Sequence, residues 1–257
     1  MENRHRYFMK LAYHGKAYHG WQWQKNAITV QQVLEEGAGT IFGSEISLTG
    51  AGRTDTGVHA REFFAHFDLD RELEKPELEQ KVYQLNGFLP QDIFVFDIFP
   101  VRPDAHARFD ALSRTYEYRV VTRKDPFNLD YAWLVHASLD IEMMNRGASV
   151  IMEYTDFTSF SKLHTQVKNN ICEVKEVAWE RHGHLLVFTI RANRFLRNMV
   201  RAIVGTLVEM GRGKIGPEDL RSIIEARDRS EAGRSVPAHG LSLTRIEYGE
   251  EVGNSEL

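Results

Sequence analysis

Residues 50–60 read GAGRTDTGVHA, which places one carboxylate, Asp55, in a glycine-rich loop two positions after Arg53. In an extended segment, residues i and i+2 point to the same side. A guanidinium beside a carboxylate favours its ionised form. An ionised carboxylate is equipped to act as a nucleophile or as a general base. The bland alternative is a turn in which Asp55 bonds its own backbone. The glycines allow a tight bend and close approach to a ligand. Upstream, ISLTG reads as a short strand. Downstream, in VHAREFFAHFDL, Phe63, Ala65, Phe67 and Leu69 alternate onto one face. Asp55 is therefore expected to project from a strand-to-strand connection, a common place for reacting groups.

Cations and aromatics extend the candidate set. ANRFLRNMVRAIVGTLVEMGRGK reads as the strongest helix in the chain. Counted at about 100° per residue from position 191, Arg194, Arg197 and Arg201 fall within a sector roughly 60° wide, opposite Phe195, Leu196, Met199, Val200, Ile203, Val204 and Leu207. A row of guanidinium groups with no carboxylate at helical spacing suits phosphates, although a solvated basic face has the same pattern. Tyr18, Trp21 and Trp23 in the early loop, and Tyr116 further on, offer rings for stacking on unpaired bases. Taken together, these are the parts of an enzyme that holds an unstacked nucleotide.

The elements that must position these groups alternate along the chain. A strand over about Tyr7–Tyr13 precedes a helix announced by Thr29 and Gln32 as a capping box. A helix from Pro76 to about Phe88 leads into DIFVFDIFPV, read as a buried strand. Arg108–Thr122 alternates as a long, half-exposed strand, with a domain junction just before it near Pro103. Then follow a helix after Asp140, a hairpin around His182 and Gly183, a short helix from Pro217 and a closing strand in GLSLTRIEYG. Interleaved strands and helices in both halves define an α+β fold with two lobes, residues 1–104 and 105–257.

Composition narrows the classes. With 257 residues, 42% hydrophobic and 26% charged, the chain is expected to be a soluble globular protein. The charged start and the lack of any window near 20 apolar residues point to the cytoplasm and away from a membrane. The single cysteine, Cys172, excludes an internal disulfide framework. The eleven histidines show no ligand spacing, so no metal is expected. A net charge of −4 argues against indiscriminate coating of nucleic acid but not against a local basic cleft.

On these motifs the chain resembles the bacterial-type tRNA pseudouridine synthase A family over nearly its whole length. GRTDTGVHA at 52–60 is similar to that family's most specific signature. FDALSRTYEYRV, DFTSF, NRFLRNMVR and VPAHGLSL resemble its other motifs, in order. The resemblance implies Asp55 as the catalytic aspartate, with Arg53 beside it in substrate binding. It also implies Tyr116 as the active-site tyrosine, Arg201 as the ion-pair partner of Asp55, and Leu241 near the target base. The implied fold is two α+β lobes with a joined mixed or antiparallel sheet and a central active-site cleft. The implied reaction is conversion of uridine to pseudouridine at positions 38, 39 and 40 of the tRNA anticodon stem-loop, by a homodimer and without cofactor. Arg194, Arg197, Tyr18 and Trp21 are the expected RNA contacts.

Two rival readings stand beside this one. Asp55-Thr56-Gly57 also spells the aspartic-protease tripeptide, but that chemistry needs a second carboxylate and the sequence holds no second DTG. A non-catalytic RNA-binding module would use the same arginines, aromatics and glycine loop.

Overall fold

The computed structural model describes residues 4–162 and 169–252. In chain order the elements are β1 (His5–Tyr13), α1 (Val30–Phe42), β2 (Thr49–Gly50), β3 (His59–Leu69), α2 (Lys75–Phe88) and β4 (Ile93–Pro100). They continue with β5 (Ala111–Val121), β6 (Trp133–Leu134), α3 (Ile141–Ile151), β7 (Val174–His182), β8 (Leu185–Ala192), α4 (Met199–Gly211), α5 (Pro217–Ala226) and β9 (Leu241–Tyr248). The chain divides into two compact units, residues 1–112 with 243–257, and residues 113–242. These units differ from the continuous lobes expected on either side of Pro103. The break falls later, and the last strand returns to lie beside β3, where Leu243 and Ile246 are buried.

In the first unit β1 pairs antiparallel with both β3 and β4. Tyr7, Met9, Leu11 and Tyr13 alternate into the core, and the Tyr7 ring stacks on Phe67, which Phe42 of α1 meets edge-on. Thr29 caps α1 by accepting the Gln32 N–H, while the Gln32 side chain turns to Glu36, so half of the expected capping box forms. Only the last two residues of ISLTG are strand. DIFVFDIFPV is an edge strand and not a buried one: Ile93, Val95 and Ile98 face the core, whereas Phe94 and Phe96 are 49% and 48% exposed. Apolar residues on both sides of a period-two pattern conceal which side is wet. Asn86 of α2 closes this edge, accepting from the Val95 N–H and donating to the Val95 carbonyl.

In the second unit β5 pairs antiparallel with β8, which forms a hairpin with β7, and β6 adds in parallel to β5. Gly183, at φ 63°, makes the hairpin turn. Asp140 caps α3 through the Met143 N–H at 3.0 Å, and α3 packs on β7 and α4. Gly147 lets them approach, since a Cβ there would lie 2.5 Å from Leu207 Cδ2 and Met210 Sδ.

The basic helix does not form as expected. β8 runs on to Ala192, paired with Arg114 and Val174, so residues through 192 have their backbone groups satisfied as strand. Asn198 then sits at φ 67°, which no helix interior tolerates, and α4 begins only at Met199. Every residue of α4 except Arg201 and Glu209 is buried. Arg191 is therefore a strand residue, Arg194 and Arg197 lie in a connection, and only Arg201 is helical. The helical count fails because apolar strand β8 and apolar helix α4 follow one another with little polar punctuation.

Candidate active site

Asp55 opens a tight turn. The Val58 N–H donates to the Asp55 carbonyl at 3.1 Å, and Gly57, third in the turn, has φ 79°. The preceding loop, 15–21, is clamped against this turn. Gly57 N–H donates to the Tyr18 carbonyl at 3.3 Å, Trp21 N–H donates to the Thr54 carbonyl at 3.4 Å, and the hydroxyls of Tyr13 and Thr54 are 2.9 Å apart. The two backbones touch. A Cβ on Gly15 would lie 2.0 Å from the Val58 carbonyl oxygen, and one on Gly20 would lie 2.3 Å from that of Thr54. The contacts with loop 15–21 thus fix the Asp55 backbone, while its side chain remains partly exposed. Arg53 is exposed, and its Nε donates to Gln22 Oε1 at 3.1 Å. Gln22, Gly15 and Gly20 are parts of the site that pattern reading overlooked; the one available signal was HG twice, five residues apart, in the aromatic loop.

Tyr18 and Trp21, expected as RNA contacts, are packed into the core of the first unit. Tyr18 is 4% exposed and its hydroxyl donates to Asp92 Oδ1 at 2.5 Å; burial, then Asp92, push its pKa upward. Trp21 is 2% exposed, stacked on Phe63 with ring centroids 4.2 Å apart. Its indole fills the space beside Gly50, where a Cβ would come within 2.4 Å of Nε1. An aromatic-rich loop reads the same whether its rings face solvent or wedge into a sheet. Trp23, by contrast, is exposed.

The histidines of β3 serve the fold. His59 Nδ1 accepts the Gly15 N–H at 3.0 Å, and His66 Nδ1 accepts the Ala107 N–H at 3.1 Å. Burial, reinforced by Arg6 and His106, lowers the His66 pKa to about 4. Buried Cys172 has its thiol pushed up to about 11, chiefly by burial.

In the second unit, the remaining candidates gather around β5, the start of α4 and the turn that leads into β9. Tyr116 of β5 is partly exposed and meets Phe195 edge-on at 5.1 Å. Two residues on, buried Tyr118 donates to the Pro237 carbonyl at 2.9 Å, and Gly240 lies against its ring. Arg201 Nε donates to the Val236 carbonyl at 2.8 Å, while the Val236 N–H reaches back to the Arg201 carbonyl at 3.3 Å. Segment 236–240 is thereby tied to both β5 and α4, and Leu241, 5% exposed, follows it into β9. The outlying arginines diverge. Arg191 pairs with Glu176 at 3.3 Å, Arg194 Nη1 donates to Asn169 Oδ1 at 3.3 Å, and Arg197 is exposed.

Comparison with known proteins places the chain in a class of tRNA-modifying isomerases. Residues 154–249 match the family model described as tRNA pseudouridine synthase. A tRNA pseudouridine synthase A from Parabacteroides distasonis is 51% identical over 96% of this chain and 97% of its own length. One from Bacteroides thetaiotaomicron is 51% identical over 98% and 93%, and one from Halalkalibacterium halodurans 42% identical over 91% and 89%. The chain belongs to the tRNA pseudouridine synthase A family.

Proposed function

We propose that this chain isomerises uridine to pseudouridine at positions 38, 39 and 40 of the tRNA anticodon stem-loop, with Asp55 as its catalytic residue. The observation that supports this most is the likeness over 96% of the chain to a relative named tRNA pseudouridine synthase A. The immobilised turn that carries Asp55 adds to it. The N1–C1′ bond of the uridine breaks, the uracil turns in place, and C5 bonds to C1′. The C5 proton leaves to solvent and N1 takes one up, so substrate and product are isomers and no redox partner or cofactor is required. Asp55 acts on the nucleotide as nucleophile or as base. Arg53 and Arg201 supply positive charge to the nucleotide, Tyr116 stacks on the uracil and relays the C5 proton, and Leu241 flanks the base. Arg194 and Arg197 contact RNA phosphates. Exclusion of water keeps the detached uracil from being lost to hydrolysis. The enzyme works as a cytoplasmic homodimer.

Release of tritium from C5-labelled uridine in unmodified tRNA transcripts tests the reading, followed by mapping of the modified positions. Tritium release with pseudouridine at 38–40 is the expected result. RNA binding without release would return the chain to a binding module.

A further inference from the structure

We propose that a cavity of the first unit, beside the Asp55 loop, binds a second unpaired nucleotide of the RNA substrate, with Phe109 as its stacking surface and Arg53 and Arg108 as its phosphate contacts. The proposal rests on the reading of the chain as an RNA-modifying enzyme. The cavity measures ≈ 340 Å³, and its lining includes Gln22, Gln31, Gly52, Arg53, Arg108 and Phe109. That is the size range of small-molecule sites. Gly52 and Arg53 belong to the loop that carries Asp55, so whatever fills the cavity lies a few residues from the candidate catalytic group.

Phe109 is 73% exposed, and Arg53 and Arg108 are exposed as well. Leaving an aromatic ring in water forgoes burial energy, and here the backbone that carries the ring is held by hydrogen bonds. Asp110 accepts from the Arg102 guanidinium at 2.7 Å and from the His106 N–H at 2.9 Å, and its own N–H donates to the His106 carbonyl at 3.0 Å. His106 Nδ1 accepts from the N–H groups of Arg108 and Phe109 at 3.1 and 3.3 Å. The His106 ring lies 4.3 Å from the Phe109 ring, and the Arg108 guanidinium sits 5.6 Å over its face. A ring carried on a fixed backbone loses less freedom when a ligand stacks on it than one on a mobile loop. An exposed aromatic surface flanked by two guanidinium groups matches a single-stranded nucleotide, whose base offers a π-face and whose phosphate offers paired acceptors. The stacking is tolerant of base identity, which suits an enzyme that acts at neighbouring positions.

Titration of the full-length protein with an anticodon stem-loop RNA tests the site. Phe109→Ala is expected to weaken Kd by about 5- to 100-fold and to raise KM more than it lowers kcat, while Phe109→Tyr restores both. An abasic nucleotide next to the target uridine should cost the wild type a similar factor and cost Phe109→Ala nothing further. Wild-type Kd in Phe109→Ala, or full additivity of the two changes, would overturn the proposal. Kd is read without turnover, so a wild type that makes no pseudouridine refutes the functional reading while leaving this site to be judged on binding alone.

Discussion

Gly20 lies so near Thr54 that a Cβ on it would come within 2.3 Å of the Thr54 carbonyl oxygen, and its φ of +85° is one that side chains rarely adopt. The residue therefore sets both the path of the aromatic loop and the position of the turn that carries Asp55.

Gly20→Ala should destabilise the fold by about 2 kcal/mol or more and lower kcat by pushing Thr54 and Asp55 out of place. Urea unfolding and single-turnover assays on the same preparation check this. Wild-type kcat in a destabilised variant would separate the clamp from the chemistry.

Asp55→Asn preserves the shape of the side chain and removes its charge. Tritium release should drop by at least about 100-fold, with tRNA Kd and the unfolding midpoint unchanged. Appreciable turnover by this variant would take Asp55 out of its assigned role.

Tyr118→Phe removes the donor to the Pro237 carbonyl while keeping the ring against Gly240. Burial already pushes the Tyr118 hydroxyl far above the usual tyrosine range, so it donates at every working pH. A loss of about 1 kcal/mol is expected, together with a lower kcat/KM, because segment 236–240 leads directly to Leu241. Thermal unfolding and steady-state kinetics measure the two effects.

Acid should weaken the first unit through His66. Its folded pKa is about 4 against an ordinary 6.5, lowered first by burial and then by Arg6 and His106, against the opposing pull of Asp68 and Asp110. Between those two values the unfolded chain holds more protons, so stability falls as pH falls from 6.5 towards 4 and is unaffected by His66 above that window. His66→Asn keeps an acceptor for the Ala107 N–H and removes the titration. It should flatten the decline by about 2 kcal/mol in unfolding curves collected across that range. An equal decline in both proteins would assign it to other groups.

The element types were legible wherever a cap or a turn residue marked the ends: Thr29, Asp140 and Pro217 each open a helix, and Gly183 turns a hairpin. The failures have a common cause. Arg191–Arg201 carries a helical charge pattern, but pairing of β8 with β5 and β7 takes its first two residues, and Asn198 interrupts the remainder. Local periodicity contains neither fact. The turn that carries Asp55 was legible from its glycines as a link between strands. The burial of Tyr18 and Trp21 was not, since it depends on Asp92 and Phe63, far away in sequence. Phe109 was absorbed into an expected strand that starts only at Ala111.

The strand β9 adds a temporal constraint. Ile246 N–H donates to Glu62 at 2.9 Å, and the Tyr248 ring meets Phe8 and Phe64 edge-on. During synthesis the amino-terminal unit thus waits, one strand short, until the ribosome has translated the whole of the other unit. A nascent chain halted anywhere before Leu243 would display the unfinished flank of β3 and the naked rings of Phe8 and Phe64, a surface for chaperones to shield.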